Sequence, residues 1–228
     1  VCRKLALMLS KRLVLLNKKQ GDEFQRIYGI DPRRVSYSAL GVYESMRVLP
    51  VKTNREGNHN ILFFGRISPY KGIEYLCEAM LKVHVAVPDA KLIIAGSGNL
   101  YFDYSKYKGL PFIQLQNRFI EMEDLATMLE ECDLCACPYI DATQSGVVMS
   151  AFCFKKPVIA TNVGGLPEMV DDGVTGIIVP PKDSDALANA IIELLANDIK
   201  RDNMKRNIEE LYMHGEKSWP VIVNNYID

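Results

Sequence analysis

The sequence has no charge of either sign to spare, no long apolar run, and no cysteine–histidine pairing of the kind a metal site needs. Its 27 basic and 28 acidic residues leave a formal net charge of -1. Nucleic-acid-binding chains usually carry a marked basic excess, so that class is set aside. No apolar stretch approaches the ~20 residues that cross a bilayer. Near the start, the apolar stretches Leu5–Leu9 and Leu13–Leu16 are split by Lys11 and Arg12, which breaks the continuous core a signal peptide requires. Six cysteines are present, three of them close together: Cys132, Cys135 and Cys137. A structural zinc site needs four ligands, and no second Cys/His pair lies nearby. The three read as small apolar residues of a buried strand, in a chain suited to a reducing cytoplasm.

What is present is enough length for one large or two small domains, and 48% hydrophobic residues to build a core. Residues 1–20 carry Arg3, Lys4, Lys11, Arg12, Lys18 and Lys19 and no acid. One reading is a basic amphipathic helix in peripheral contact with anionic lipid at the inner face of a membrane. The other is a helix and strand belonging to a larger domain.

From Asn60 onward, short apolar runs alternate with longer amphipathic segments. The runs are Ile61–Phe64, Leu92–Ala95, Phe112–Leu115, Leu134–Cys137, Val158–Ala160 and Ile177–Val179. The first five suit strands buried on both faces. Helices are predicted over 72–87, 122–131, 145–155 and 184–197. In the first of these, Ile73, Leu76, Cys77, Met80, Val83 and Val87 share a face, and Pro88 stops the helix. This alternation predicts an α/β fold: a Rossmann-like, doubly wound parallel sheet flanked by helices. Ahead of it, Leu13–Leu16 reads as a strand, Lys18–Tyr28 as a helix and Arg34–Ser38 as a strand. Residues 49–59 read as a linker, 199–213 as a charged helix, and Trp219-Pro220 as the opening of a terminal helix.

Ligands of such sheets sit beyond the carboxyl ends of the strands, so the loops there are where chemistry is sought. After the first strand, Gly65-Arg66-Ile67-Ser68-Pro69-Tyr70-Lys71-Gly72 places Arg66 at the strand end and Lys71 at the entry of a helix. A lysine in a first helical turn opposes the macrodipole by roughly 0.3–1 kcal/mol, a local rule broken at a loop end. Two cations beside free helix amides suit a diphosphate; a solvated surface pair is the alternative. Gly96-Ser97-Gly98 follows the second strand, either for close approach to a ligand or as a tight turn. It lacks the third glycine of a dinucleotide fingerprint. The loop Pro138–Val147 is polar and ends in Ser145-Gly146 at a helix start. It either offers free amides to a phosphate or sugar, or is an ordinary helix capped by Ser145. Its one carboxylate is Asp141. Thr161–Glu168 carries Gly164-Gly165 and Pro167.

Together these segments resemble family 4 of the retaining glycosyltransferases, the donor-binding domain of the GT-B fold. The resemblance is carried by Phe64-Gly65-Arg66 with Lys71-Gly72, by Ser145-Gly146-Val147, by Lys156–Thr161 and by Gly164-Gly165-Leu166-Pro167-Glu168. Asp172–Gly176 followed by Val179-Pro180-Pro181 adds to it. Order and spacing fit from about Asn60 to Ile192. The resemblance implies a remnant of an N-terminal, acceptor-side domain at 1–48, a linker at 49–59, and a nucleotide-sugar-binding domain at 60–215. It also implies a helix at 216–228 that packs back toward the first domain, most of which lies outside this sequence.

By the same resemblance, Arg66 and Lys71 neutralise the donor diphosphate, with Gly65, Gly96 and Ser97 beside it. Arg118, Phe119 and Ile120 line the base, and Thr143, Gln144, Ser145, Gly146 and Val147 complete the donor site. The family's two glutamates, eight positions apart, correspond here to Ala142 and Ser150. Asp141 stands in for the first, one residue displaced, and Ser150 offers a ribose hydroxyl a weaker partner than a carboxylate. Ala142-Thr143-Gln144-Ser145-Gly146-Val147 is similar to a variant of the family, so an active enzyme is expected. The implied partners are a nucleoside-diphosphate sugar and a glycan or lipid-linked acceptor, with no metal cofactor. The rival expectations are a nucleotide-sugar-binding module without transfer activity, and an epimerase or phosphorylase of the same two-domain plan.

Overall fold

The computed structural model describes residues 2–52 and 59–227. Helix α1 (Cys2–Leu9) precedes a small parallel pair, β1 (Leu13–Leu15) and β2 (Val35–Tyr37), joined by α2 (Lys18–Tyr28). The linker expected at 49–59 falls largely on 53–58, outside the described residues.

The main sheet begins with β3 (Asn60–Phe64) and runs through β4 (Lys91–Gly96), β5 (Ile113–Asn117), β6 (Leu134–Cys137), β7 (Val158–Thr161) and β8 (Gly176–Val179). Its order is β5-β4-β3-β6-β7-β8, with every pairing parallel. The chain thus starts in the middle, builds to one side, then returns to build on the other. Between β3 and β6 the direction reverses, and ligands of such sheets bind beyond the carboxyl ends at that point.

The helices are α3 (Ile73–Ala86), α4 (Met122–Glu131), α5 (Gly146–Cys153), α6 (Leu166–Met169), α7 (Ser184–Leu195), α8 (Asp198–Ile208) and α9 (Trp219–Ile227). Asp183 caps α7 and Asn197 caps α8 through side-chain oxygens. Ile61, Leu62 and Phe63 of β3 are completely buried, as are Leu134 to Cys137 of β6. Burial of each large apolar side chain contributes ~1.5–3 kcal/mol. Cys132, Cys135 and Cys137 sit in this core as small apolar groups, with Cys132 Sγ 3.8 Å from Cys135 Sγ.

Two expectations need correction. The third run does not form a strand buried on both faces: β5 is an edge strand, starts at Ile113, and leaves Gln114 and Asn117 exposed. The segment 199–213 is not one helix. After α8 the chain widens into a π turn, Glu209–His214, which carries Tyr212 inward. There its ring meets Phe152 at 4.7 Å between centroids and its hydroxyl donates to the Met169 carbonyl at 2.6 Å.

Candidate functional site

The first part of the site forms where the loops after β3, β4 and β5 cross. Gly65 N–H donates to the Ala95 carbonyl at 2.9 Å and Ile67 N–H to the Ser97 carbonyl at 3.0 Å, so the first two loops run against each other. Gly96 has φ +153°, and a Cβ there would lie 1.8 Å from the Gly65 carbonyl oxygen. Its glycine is needed for backbone to approach backbone. Asn117 ties in the third loop, accepting from Gly98 N–H at 3.2 Å and donating to the Gly98 carbonyl at 3.0 Å. The result is a cavity of about 230 Å³ with apolar walls from Phe64, Ala95, Ile120 and Leu125. Gly65, Arg66, Gly96, Ser97, Arg118 and Phe119 also line it.

Within that cavity the two arginines differ. Arg118 is fixed, donating to Asp124 at 2.9 Å and to the Phe119 carbonyl at 3.1 Å. Arg66 is exposed and forms no ion pair among the described residues. Phe119 is 71% exposed, a large apolar ring standing free at the cavity's edge.

The second part lies at the reversal between β3 and β6. Lys71 does not enter the first turn of α3, as the sequence suggests. It ends a short 3-10 turn, Pro69–Lys71, and Gly72 intervenes in the left-handed region at φ +62°. A Cβ on Gly72 would come within 2.1 Å of the Pro138 carbonyl oxygen, so the two loops touch here also. Ile140 N–H donates to the Tyr70 carbonyl at 2.8 Å. Lys71 is turned inward and is only 8% exposed. Its ammonium lies 3.6 Å from the Tyr139 ring centroid and 5.0 Å from that of Tyr70. Burial lowers its pKa to about 8. The nearby Cys137 thiol, itself pushed up to about 11 by burial, is neutral at pH 7.

Beyond Tyr139 stands the start of α5. Ser145 occupies its N-cap position, but its hydroxyl bonds Tyr139 Oη at 3.1 Å and makes no capping bond. The first-turn amides of α5 therefore have no side-chain cap; Val148 N–H donates to the Ser145 carbonyl at 3.2 Å, and the amides of Gly146 and Val147 are left to meet an anion. Val147 connects the two parts: its Cγ2 lies 3.7 Å from where a Gly65 Cβ would be. Ser150 is buried and donates its hydroxyl to the Gly146 carbonyl at 3.1 Å. Ala142 is buried and Asp141 is exposed on the loop before it.

Thr143 and Gln144 lie elsewhere. They line a groove of about 340 Å³ whose other wall comes from β1, α2 and the turn between them, including Leu15, Asn17 and Phe24. Gln144 Nε2 donates to the Leu16 carbonyl at 2.7 Å. Glu168 accepts from the amides of Lys18 and Lys19, at 2.8 and 3.1 Å, and so caps α2 from 150 residues away. Trp219 Nε1 donates to the Val42 carbonyl at 2.7 Å. Tyr139, Tyr70 and Glu168 were not among the expected site residues. Tyr70 adjoins Lys71, and Tyr139 and Glu168 lie in strand-end segments already singled out, but nothing near Tyr139 in sequence points across 68 residues to a lysine.

Known proteins share parts of this sequence and its fold. A family model described as glycosyl transferases group 1 matches residues 58–197. An uncharacterized glycosyltransferase of Methanocaldococcus jannaschii is 31% identical over 175 residues, covering 74% of this chain and 43% of the relative. A GDP-mannose-dependent monoacylated alpha-(1-6)-phosphatidylinositol monomannoside mannosyltransferase of Corynebacterium glutamicum is 34% identical over 168 residues, covering 69% of this chain and 43% of that protein. The chain thus spans less than half of either relative. Among solved structures, Anabaena HepE in complex with UDP superposes with TM-score 0.74 at 20% identity, over 98% of this chain and 64% of that one. A glycosyltransferase from Rickettsia africae gives TM-score 0.78 at 18% identity, over 96% and 62%. These likenesses fix the fold as GT-B, and the family match covers more than half the sequence: the chain belongs to the glycosyl transferases group 1 family.

Proposed function

We propose that this chain is the donor-binding part of a hexosyltransferase. It holds a nucleoside-diphosphate sugar for transfer to a glycan or lipid-linked acceptor with retention at the anomeric carbon. The observation that carries the reading is Lys71, a buried ammonium with no carboxylate partner among the described residues, on the loop after β3 and 3.6 Å from the ring of Tyr139 on the loop after β6. The hydroxyl of that same tyrosine bonds Ser145 at the start of α5, which no side chain caps. Beside it lies an apolar cavity of about 230 Å³ that suits a nucleobase. The relatives lend support: one is named as GDP-mannose-dependent, and Anabaena HepE has been solved with UDP and with UDP-glucose.

In this reading the base enters between Ile120 and Leu125. The diphosphate lies across Arg66, Lys71 and the α5 amides. Negative charge grows on the diphosphate as the sugar departs, and fixed donors of this kind contribute ~2.7–4 kcal/mol each. The two cations and the helix end do the work a divalent ion would do elsewhere. A second reading, a binding module without transfer, is favoured by Ala142 and by Ser150, whose hydroxyl proton is already donated inside α5.

Calorimetry with UDP, GDP and ADP tests the binding. Arg66→Ala and Lys71→Ala should each weaken the preferred nucleotide roughly tenfold to hundredfold, with less than additive loss in the double variant. Arg66→Lys should restore only part, because an ammonium lacks the planar fork. Unaltered affinity in both alanine variants would remove the diphosphate assignment. Incubating a chain that includes the acceptor side with a panel of nucleotide sugars separates transfer from inert binding.

A further inference from the structure

A buried ammonium ordinarily brings a carboxylate with it, because burying an unpaired charge is costly. Lys71 breaks that habit. Among the described residues no acid is paired with it, and its neighbours are two tyrosine rings. The rings meet each other edge to face, at 6.4 Å and 74°. Tyr139 is the nearer and is itself completely buried. It is held at both ends. Its carbonyl accepts from Thr161 Oγ1 at 2.6 Å, and its hydroxyl bonds Ser145 at the head of α5.

We propose that Tyr139 is a positioning residue whose ring seats the Lys71 ammonium, charged and without a counterion, in register with the open end of α5. The proposal rests on reading the loops after β3 and β6 as a diphosphate site. An aromatic face attracts a cation through its quadrupole and leaves the full positive charge available. A carboxylate in the same place would hold the lysine equally well and cancel the charge the diphosphate needs. The hydroxyl acts separately. It occupies Ser145, so that the serine does not cap the amides the phosphate is to meet. One side chain thereby sets both halves of the anion site.

Among the described residues the remaining ionisable groups on the surrounding segments are few, and one of them, the Tyr43 hydroxyl, stands at the head of α5, 2.9 Å from where a Gly146 Cβ would be. Arg66 and Tyr70 share the loop. Glu74 is the second residue of α3, and its carboxylate accepts from the Tyr101 hydroxyl. Cys137 ends β6, and Asp141 lies past Tyr139. With burial holding free Lys71 near pH 8, an arriving diphosphate restores its proton affinity. Binding above that pH must therefore take up a proton, and affinity should fall as pH rises.

The test is UDP affinity by calorimetry from about pH 6.5 to 10, for wild type, Tyr139→Leu, Tyr139→Phe and Lys71→Ala, with thermal melts on each. Tyr139→Leu should weaken binding about threefold to thirtyfold, and the fall with pH should begin as much as about one unit lower, because the ring no longer favours the charged lysine. Tyr139→Phe keeps the ring and should keep the pH profile. Lys71→Ala should bind weakly, without the fall near pH 8. If Tyr139→Leu binds with wild-type strength and profile while Lys71→Ala is weak, the tyrosine has no positioning role and the diphosphate reading stands. If Lys71→Ala is itself unaffected, both fall. A readout on the unaltered chain covers a leucine variant that fails to fold: the Lys71 ε-methylene protons should show an upfield ring-current shift, and its absence overturns the proposal.

Discussion

The six-stranded unit and the β1-α2-β2 unit before it use different physics to stay in place. The large unit closes around one apolar core that runs from Val42 to Tyr212. Among the described residues the small unit contributes no buried side chain to that core before Val42, and leaves Val14, Leu16 and Ile27 partly or largely exposed. It is held instead by polar contacts at backbone ends: Glu168 on the α2 amides, and Gln144 on the Leu16 carbonyl. Apolar burial fixes position cooperatively, whereas a few hydrogen bonds worth ~0.5–1.5 kcal/mol each can open separately. Glu168, in α6, follows β7 and Gln144, in the loop before α5, follows β6, so both lie on the edge of the sheet where the anion site is proposed. The small unit is thus fastened to the working edge of the large one.

Leu62→Ala is the harshest test of the contrast. Leu62 is fully buried in the central strand, and its truncation should cost ~2–5 kcal/mol. Denaturant titration should show the whole six-stranded unit destabilised; loss confined to one strand would mean the core is not one cooperative body.

Lys71→Met probes the opposite case, a place where the core holds something unfavourable. Lys71 has a pKa of about 8 in the fold against 10.5 for an ordinary lysine. Folding therefore releases protons between those values, and the cost of burying the charge is full below pH 8 and fades as pH approaches 10.5. The methionine variant should be more stable than wild type by on the order of 1–2 kcal/mol at pH 7, after the lost ring contact is allowed for. Melts at pH 7 and pH 10 should show that gain shrinking; an equal gain at both would detach it from the lysine's charge.

Glu168→Ala should cost ~1 kcal/mol, the usual worth of a helix cap, and only in the small unit. Hydrogen exchange should quicken in α2 and stay unchanged in β3 and β6. Equal quickening in all three would make the two units one. The smallest effect is expected from removing divalent ions: UDP affinity measured with magnesium, with manganese and with EDTA should differ by less than about tenfold, and a larger drop in EDTA contradicts the assignment to Arg66 and Lys71.

Much of the large unit was legible in the sequence because strands buried on both faces announce themselves as unbroken apolar runs. Ile61–Phe64 and Leu134–Cys137 needed no partner to be recognised. Phe112–Leu115 misled, since Ile113–Asn117 lies at the edge with one side open, and an edge strand carries glutamines an inner one cannot. The loops of interest were found by position, at strand ends. Their chemistry was only half legible. Arg66, Gly96 and Arg118 meet around one cavity, as the order of strands implies. The glycine at 96 was open to a ligand reading, and its need turns out to come from the Gly65 carbonyl. Lys71 was read at a helix start because Gly72 does not reveal its left-handed turn in one-dimensional form. Its burial depends on Tyr139, which only the β3–β6 pairing brings near.

The π turn at Glu209–His214 sets the direction in which the chain leaves α8 and reaches Gly215. A π turn holds about one residue more than an α turn, so the chain leaves it displaced by about 100° and about 1.5 Å from the course an uninterrupted helix would take. On that altered course Tyr212 points beneath the Met169 carbonyl, and the chain turns at Gly215 toward Trp219. The indole then lies flat against Gly41, where a side chain as small as a methyl would come within 2.5 Å of the ring. The tail's return to the segment ahead of the sheet is thus a matter of angle. Deleting one residue from the turn would leave every side chain in α9 chemically intact and swing the indole away from its glycine seat.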